Sequence, residues 1–430
     1  MNTRIPSLSS TPWPTSAADW WAREHLHYRD DTLYLRGRAV AALAAAFPEP
    51  VFLYDPHRAA DNVARLDAVL RGLHTGGGHR LYYAMKANRF RPLLGELRRC
   101  AGLYGIDVCS PEELREAIAC GFEPARISYT AHGMTPDEAE LLAALPDVHV
   151  NCDTLSAIAL LGRHAPGREI GIRINPGIGI GYGDNDRLSY AGAAVTKFGI
   201  YDEQFGEALA LAAAHRLRVS WLHCHAGCGY LDPQLGSFER VLAALDAFVA
   251  RVPGLRGVNL GGGLGVPHRA TDRPLDLARW RDAVQARFGG RGLTLAIEPG
   301  DFIAKDCGML VLRVVYAETK RDRRFVGLNG GFNLAVEPAF YDLPCEPVPC
   351  VRRPGAAQPA CVAGNINEAL DLWGRDVPLP PVEPGDHIAL LNAGGYASSM
   401  SSNHCLRGQF RELALFDALP SPSHPEGVPA

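Results

Sequence analysis

The chain has 430 residues, 47% hydrophobic and 21% charged, with a formal net charge of −4. That length exceeds one ordinary core and predicts two or three domains of globular composition. Without a basic excess it does not suit electrostatic nucleic-acid binding, and no apolar run reaches the ~18 residues that span a bilayer.

The opening stretch, "MNTRIPSLSSTPWPTSAADWW", lacks the basic-then-apolar order of a secretory leader, so a cytoplasmic location is expected. Residues 1–50 carry "DTLYLRG" (31–37), expected to add a strand to a β domain, and "AVAALAAAF" (39–47), read as a short buried helix. From 51 to 305, strand-like runs alternate with amphipathic helical patterns. The predicted strands are "RLYYAMK", "LYGIDVC", "RISYTAH", "VHVNCD", "EIGIRINP", "RVSWLHCH", "GVNLGGG" and "LTLAIEPG". Helical patterns separate them, and Ser110-Pro111-Glu112-Glu113 and Thr135-Pro136-Asp137-Glu138 have the form of helix starts. This α/β alternation predicts a (β/α)8 barrel, with a doubly wound open sheet as the alternative. Residues 306–418 read as a mostly β C-terminal domain, because strand patterns are broken there by Pro- and Gly-rich turns. The final stretch, 419–430, reads as a disordered tail.

The eleven cysteines are odd in number, scattered, and include no CxxC pair. Reduced, mostly buried thiols are therefore expected. "HCHAGC" (223–228) has no matching second half, so no metal is expected.

Barrel active sites use groups at the C-terminal ends of the strands. Polar or unusual residues end nearly every predicted strand: Lys86, Asp107, His132, Asp153, Arg173, His225, Gly261, Gly262, Gly263 and Glu298. Each alone is as readily a cap or a satisfied core residue; their convergence on one rim points to an enzyme. "NLGGGLG" (259–265) brings backbone N–H groups near an anion, and its spacing suits a lone phosphate better than a dinucleotide. A strand-end lysine facing a phosphate cradle suggests Schiff-base chemistry with a phosphorylated aldehyde. Glu298 would then keep a pyridine nitrogen protonated, His225 would stack on the ring, and Asp107 would tune the amine by its charge.

Residues 50 to 415 resemble the fold-type III pyridoxal-phosphate decarboxylases, the group of diaminopimelate, ornithine and arginine decarboxylases with an alanine racemase-like barrel. The resemblance rests on "YYAMKAN", "HCHAGCG", "GGGLG", "EPGD" and "NAGGYASSMSSNH". It implies pyridoxal 5'-phosphate as cofactor, with Lys86 carrying the Schiff base. Asp107, Arg173, His225, Cys228, Gly261, Gly262, Gly263, Glu298 and Tyr396 are the implied cofactor contacts, with Tyr396 reaching both phosphate and substrate. It also implies a homodimer in which "CVAGNINEALD" (361–371) enters the neighbour's barrel, placing Asn367 and Glu368 at the shared site.

Three positions depart from that family. Asp301 stands where relatives have an arginine that helps hold phosphate and substrate carboxylate, and an aspartate repels an anion. Asn367 replaces the interface cysteine that donates the proton after decarboxylation, and an amide is a poor donor near neutral pH. Cys228 replaces a serine that bonds phosphate, and a thiol is a weak donor. These changes weigh against standard meso-diaminopimelate as substrate; Glu368 offers a partner for a distal amine. "GNINEALD" resembles, more loosely, siderophore-pathway decarboxylases acting on citrate–diamino-acid conjugates, which suit Asp301 poorly. The expected reaction is decarboxylation of an amino acid or amino-acid conjugate. A racemase or lyase of the same fold, or a non-catalytic cofactor carrier, is the alternative.

Overall fold

The computed structural model describes residues 19–192 and 194–416; the stretch 419–430, read above as a tail, lies outside them. First comes a local antiparallel meander of β1 (Leu26–Arg29), β2 (Thr32–Leu35) and β3 (Arg38–Ala39). Its two turns hold Asp30, Asp31, Arg36 and Gly37 at positive φ, the geometry of tight hairpin turns whose twist matches the strands they join. "DTLYLRG" therefore pairs with its own neighbours and meets the later chain at a Thr32–Val351 bridge. The strand that enters the large sheet from this end is β4 (Val51–Tyr54) instead.

Eight parallel strands then close into a barrel: β5 (Gly76–Ala84), β6 (Gly105–Val108), β7 (Ile127–Tyr129), β8 (His149–Cys152), β9 (Glu169–Arg173), β10 (Arg218–His223), β11 (Gly257–Asn259) and β12 (Leu293–Ile297). β12 pairs with β5, so the sheet has no free edge and the open-sheet alternative falls. Helices cover the outside of the strands, which are buried on both faces, as parallel sheets require. Several helices start at side-chain caps directly after a strand. Ser110 Oγ accepts from the Glu113 N–H, and Thr135 and Glu138 cap each other reciprocally.

After the barrel, β13 (Gly308–Lys320) runs through a second sheet with β14 (Arg323–Leu328), β15 (Pro347–Pro349), β16 (Gln358–Ala363), β17 (Leu372–Leu379), β18 (His387–Leu390) and β19 (Arg411–Ala414). The first half of β13 lies between β4 and β18, and its second half pairs with β14. β4 also pairs in parallel with β19, so the strand before the barrel and the last described strand meet in this sheet. All eleven cysteines are free thiols. No helix of the described residues is long and apolar enough to cross a membrane.

Candidate active site

β5 ends at Ala84, and a single 3-10 turn, Met85–Ala87, carries Lys86 to the mouth of the barrel. Asn88 fixes that turn: its Oδ1 accepts from the Phe90 N–H, and its Nδ2 donates to the Gly394 carbonyl at 2.8 Å. The Tyr396 N–H and the Ser399 hydroxyl both donate to the Ala87 carbonyl, so a loop from the β domain clamps the lysine turn from outside. Lys86 Nζ lies 3.2 Å from Asp107 Oδ2, at the end of β6. Burial pushes the amine's pKa down, but the charges of Asp107 and Glu298 outweigh it and leave the value raised. Asp107 is raised in turn by burial and by Glu298, and its Oδ1 has no hydrogen-bond donor.

Glu298, one residue past β12, is 5% exposed and holds three hydrogen bonds. Its Oε1 accepts from Ser128 Oγ at 2.7 Å and from Asn259 Nδ2 at 2.6 Å; Oε2 lies 3.0 Å from His223 Nε2. Burial pushes the carboxyl up, but His223 and the bonds from His223 and Ser128 overcome it and hold it at about 2. Burial lowers His223 against the pull of Glu298, and the ring faces the carboxylate through Nε2. The result is a buried carboxylate kept in its charged form by His223, Ser128 and the nearby Lys86.

Next to it, His225 Nδ1 accepts from the Gly262 N–H at 3.2 Å, and burial keeps the imidazole neutral. Tyr190 braces the ring at 4.9 Å. In the glycine turn, Gly261 and Gly263 have φ of +66° and +99°. A Cβ on Gly263 would meet the Gly227 carbonyl at 2.3 Å, so the close approach demands glycine. The Gly261 N–H donates to Asn259; the Gly263 N–H has no acceptor among the described residues. Arg173, at the end of β9, stacks on Phe198 at 4.8 Å, and its guanidinium makes no hydrogen bond among the described residues. Tyr396, at φ +55°, turns its hydroxyl toward Gly300, where a Cβ would lie 2.7 Å from it.

Lys86, Asp107, Arg173, His223, His225, Gly262, Gly263, Glu298 and Tyr396 line one cavity, together with Thr130, Gly300, Cys228 and Asp301. Two predicted site residues lie elsewhere in the single chain: Asn367 and Glu368 are exposed, and Glu368 pairs with His404 at 3.5 Å. Sequence reasoning missed Ser128, His223 and Asn259, which hold Glu298, and Lys305 and Glu337, which flank Asp301. His223 had a signal, two residues before His225; Lys305 and Glu337 had none. Among the described residues no group of three or more His, Cys, Asp or Glu side chains is placed to hold a metal, and "HCHAGC" is not one.

A lysine amine, a locked carboxylate, a neutral histidine and a glycine turn at the C-terminal rim of a closed barrel define an enzyme site. Its orphaned polar groups, the Gly263 N–H, Asp107 Oδ1 and the Arg173 guanidinium, fit a flat polar cofactor with an anionic end. Residues 63–305 match the family model described as pyridoxal-dependent decarboxylase, pyridoxal binding domain. The chain is 32% identical to a diaminopimelate decarboxylase of Pseudomonas aeruginosa, over 90% of this chain and 92% of that one. It is 31% identical to one of Methanothermobacter thermautotrophicus, over 89% and 90%. The crystal structure of diaminopimelate decarboxylase from Helicobacter pylori complexed with L-lysine aligns with a TM-score of 0.78 and 27% identity, covering 88% of this chain and 94% of that one. The chain belongs to the pyridoxal-dependent decarboxylases, carboxy-lyases that act on amino acids with pyridoxal 5'-phosphate as cofactor.

Proposed function

We propose that this chain removes the α-carboxylate, as CO2, from an amino acid or amino-acid conjugate whose distal group is not a second amino-acid carboxylate. Lys86 is the amine that holds the cofactor and releases it to the substrate's own amine. Glu298 keeps the ring nitrogen protonated, His225 covers one ring face, and Arg173 receives an oxygen anion of the bound molecule. Gly263 and Tyr396 take the phosphate end. Pyridoxal phosphate, when bound, supplies the sink for the electron pair left at Cα as CO2 departs. The proton that replaces CO2 comes from a group other than Asn367, whose amide does not release one near neutral pH.

The observation that carries the substrate reading is Asp301. It stands on the cavity wall with Lys305 behind it, and Lys305 is already paired to both Asp301 and Glu337. This wall offers no unpaired cation to a distal carboxylate. meso-Diaminopimelate, the substrate the relatives' names imply, is therefore disfavoured. We also infer a homodimer, in which the exposed segment carrying Asn367 and Glu368 reaches the neighbour's cavity.

The test is CO2 release from a panel of amino acids with anionic, neutral and cationic distal groups. Turnover is expected for neutral or cationic members and not for meso-diaminopimelate; a preference for meso-diaminopimelate overturns the substrate reading. Lys86→Ala is expected to abolish both the cofactor's protein-bound absorbance and turnover. Turnover retained without added amine removes Lys86 from its role.

A further inference from the structure

The wall carrying Asp301 contains a buried charge cluster that the roles above leave unused. Asp301, 9% exposed, opens a one-turn helix directly after Glu298-Pro299-Gly300. Lys305, one turn on and 1% exposed, has its ammonium 3.3 Å from Asp301 Oδ1. The same ammonium donates to Glu337 Oε2, at the start of a short helix that the β domain presses against the barrel. Lys305 also lies 5.6 Å from the Tyr396 ring centroid. With both carboxylates ionised, two negative charges share one positive charge, and Asp301 Oδ1 still has no hydrogen bond.

This cluster adjoins the cavity, whose lining Asp301 shares with Cys228, Gly263 and Tyr396. Besides the cavity's charged Lys86, Asp107, Arg173 and Glu298, and Arg269 beside His268, the titratable groups around it stay neutral. Burial pushes the Cys228 thiol up to about 12 and holds the His268 imidazole at about 3. Tyr190, Tyr341 and Tyr396 are all raised. A phosphate dianion entering here meets a net negative wall, screened little because it is buried.

We propose that Asp301, Lys305 and Glu337 form a proton-linked anion clamp: when the phosphate binds, Glu337 takes up one proton, and Lys305, released from it, becomes the phosphate's counter-charge. This rests on the reading that the cavity holds pyridoxal phosphate. Burial beside Asp301 already raises Glu337 to about 7, despite Lys305, so the proton is within reach near neutrality. Lys305 is a positioning residue for the anion, acting from behind Asp301, which replaces a direct cationic contact.

The experiment measures binding of pyridoxine 5'-phosphate, which has no aldehyde to react with Lys86, by calorimetry in buffers of different ionisation enthalpy. Pyridoxine without the phosphate subtracts protons taken up by the ring. Above pH 7 the protein is expected to take up about one proton per phosphate, with affinity falling roughly tenfold per pH unit. Glu337→Gln is expected to bind with a flat profile and without uptake, and Asp301→Asn to weaken the dependence. An unchanged slope in Glu337→Gln, or no uptake in the parent protein, overturns the clamp. If pyridoxal phosphate still gives a borohydride-stable adduct on Lys86, that failure leaves the cofactor reading intact. Absence of the adduct overturns both.

Discussion

An amine held beside a buried carboxylate is a poor nucleophile until it loses its proton. Lys86 is in that position, 3.2 Å from Asp107 and with its pKa raised. The sign follows from the direction: below the raised value the amine is protonated, so attachment to an aldehyde speeds up as pH rises. Asp107→Asn removes the first-named charge that holds the proton. The pH profile of cofactor attachment to the cofactor-free protein is then expected to move to lower pH by roughly one to three units, as followed by stopped-flow absorbance. Glu298→Gln keeps the shape but removes the fixed charge. It is expected to lower kcat by about a hundredfold or more, with a much smaller change in cofactor affinity; equal losses in both would make Glu298 a binding group alone. The positions of Lys86, His225 and Glu298 in the cavity were legible in the sequence because each stands where a strand pattern breaks into a turn. Ser128 and Asn259 were not, since a residue within a strand faces the lumen or the helices according to a register set only on barrel closure. Glu337 is more than 30 residues from Asp301 along the chain, and nothing local predicts their meeting across Lys305.

The barrel's strands and helices were legible for a similar reason. Alternation of apolar strands with capped helices is written in short windows, and the caps at Ser110 and Thr135 are where the pattern places them. Ser110→Ala and Thr135→Ala are each expected to cost about 1 kcal/mol of stability, read as a lower denaturant midpoint at unchanged slope. Ser110 follows Asp107 by three residues, so its loss also loosens the turn beyond that carboxylate. The N-terminal meander was harder to place. Its strand was legible, but its partner was decided by Asp30, Asp31, Arg36 and Gly37, whose left-handed backbone folds the chain back on itself before it reaches the large sheet. The β domain's order, in which β4 and β19 are neighbours, depends on pairings hundreds of residues apart and left no local trace.

At the scale of the molecule, the lysine turn is assembled from two domains. Asn88 and Ala87 in the barrel bond Gly394, Tyr396 and Ser399 in the β domain. The exposed stretch 367–370, by contrast, finds no place in its own chain's cavity. If it completes a neighbour's site, mixing Lys86→Ala protein with a protein altered at both Asn367 and Glu368 is expected to restore turnover through hybrid dimers that regain one intact site. Two inactive parents whose mixture stays inactive after subunit exchange would place the whole site in one chain.

The pairing of β4 with β19 bears on how the chain is made. A ribosome exposes Val51–Tyr54 early, yet its parallel partner at Arg411–Ala414 emerges only near the end of synthesis. Throughout that interval the nascent chain carries an apolar strand with an unsatisfied flank, open to pairing with a sister polypeptide. Premature termination before residue 411 would leave that flank permanently bare, and such products are natural targets for chaperones and quality-control proteases.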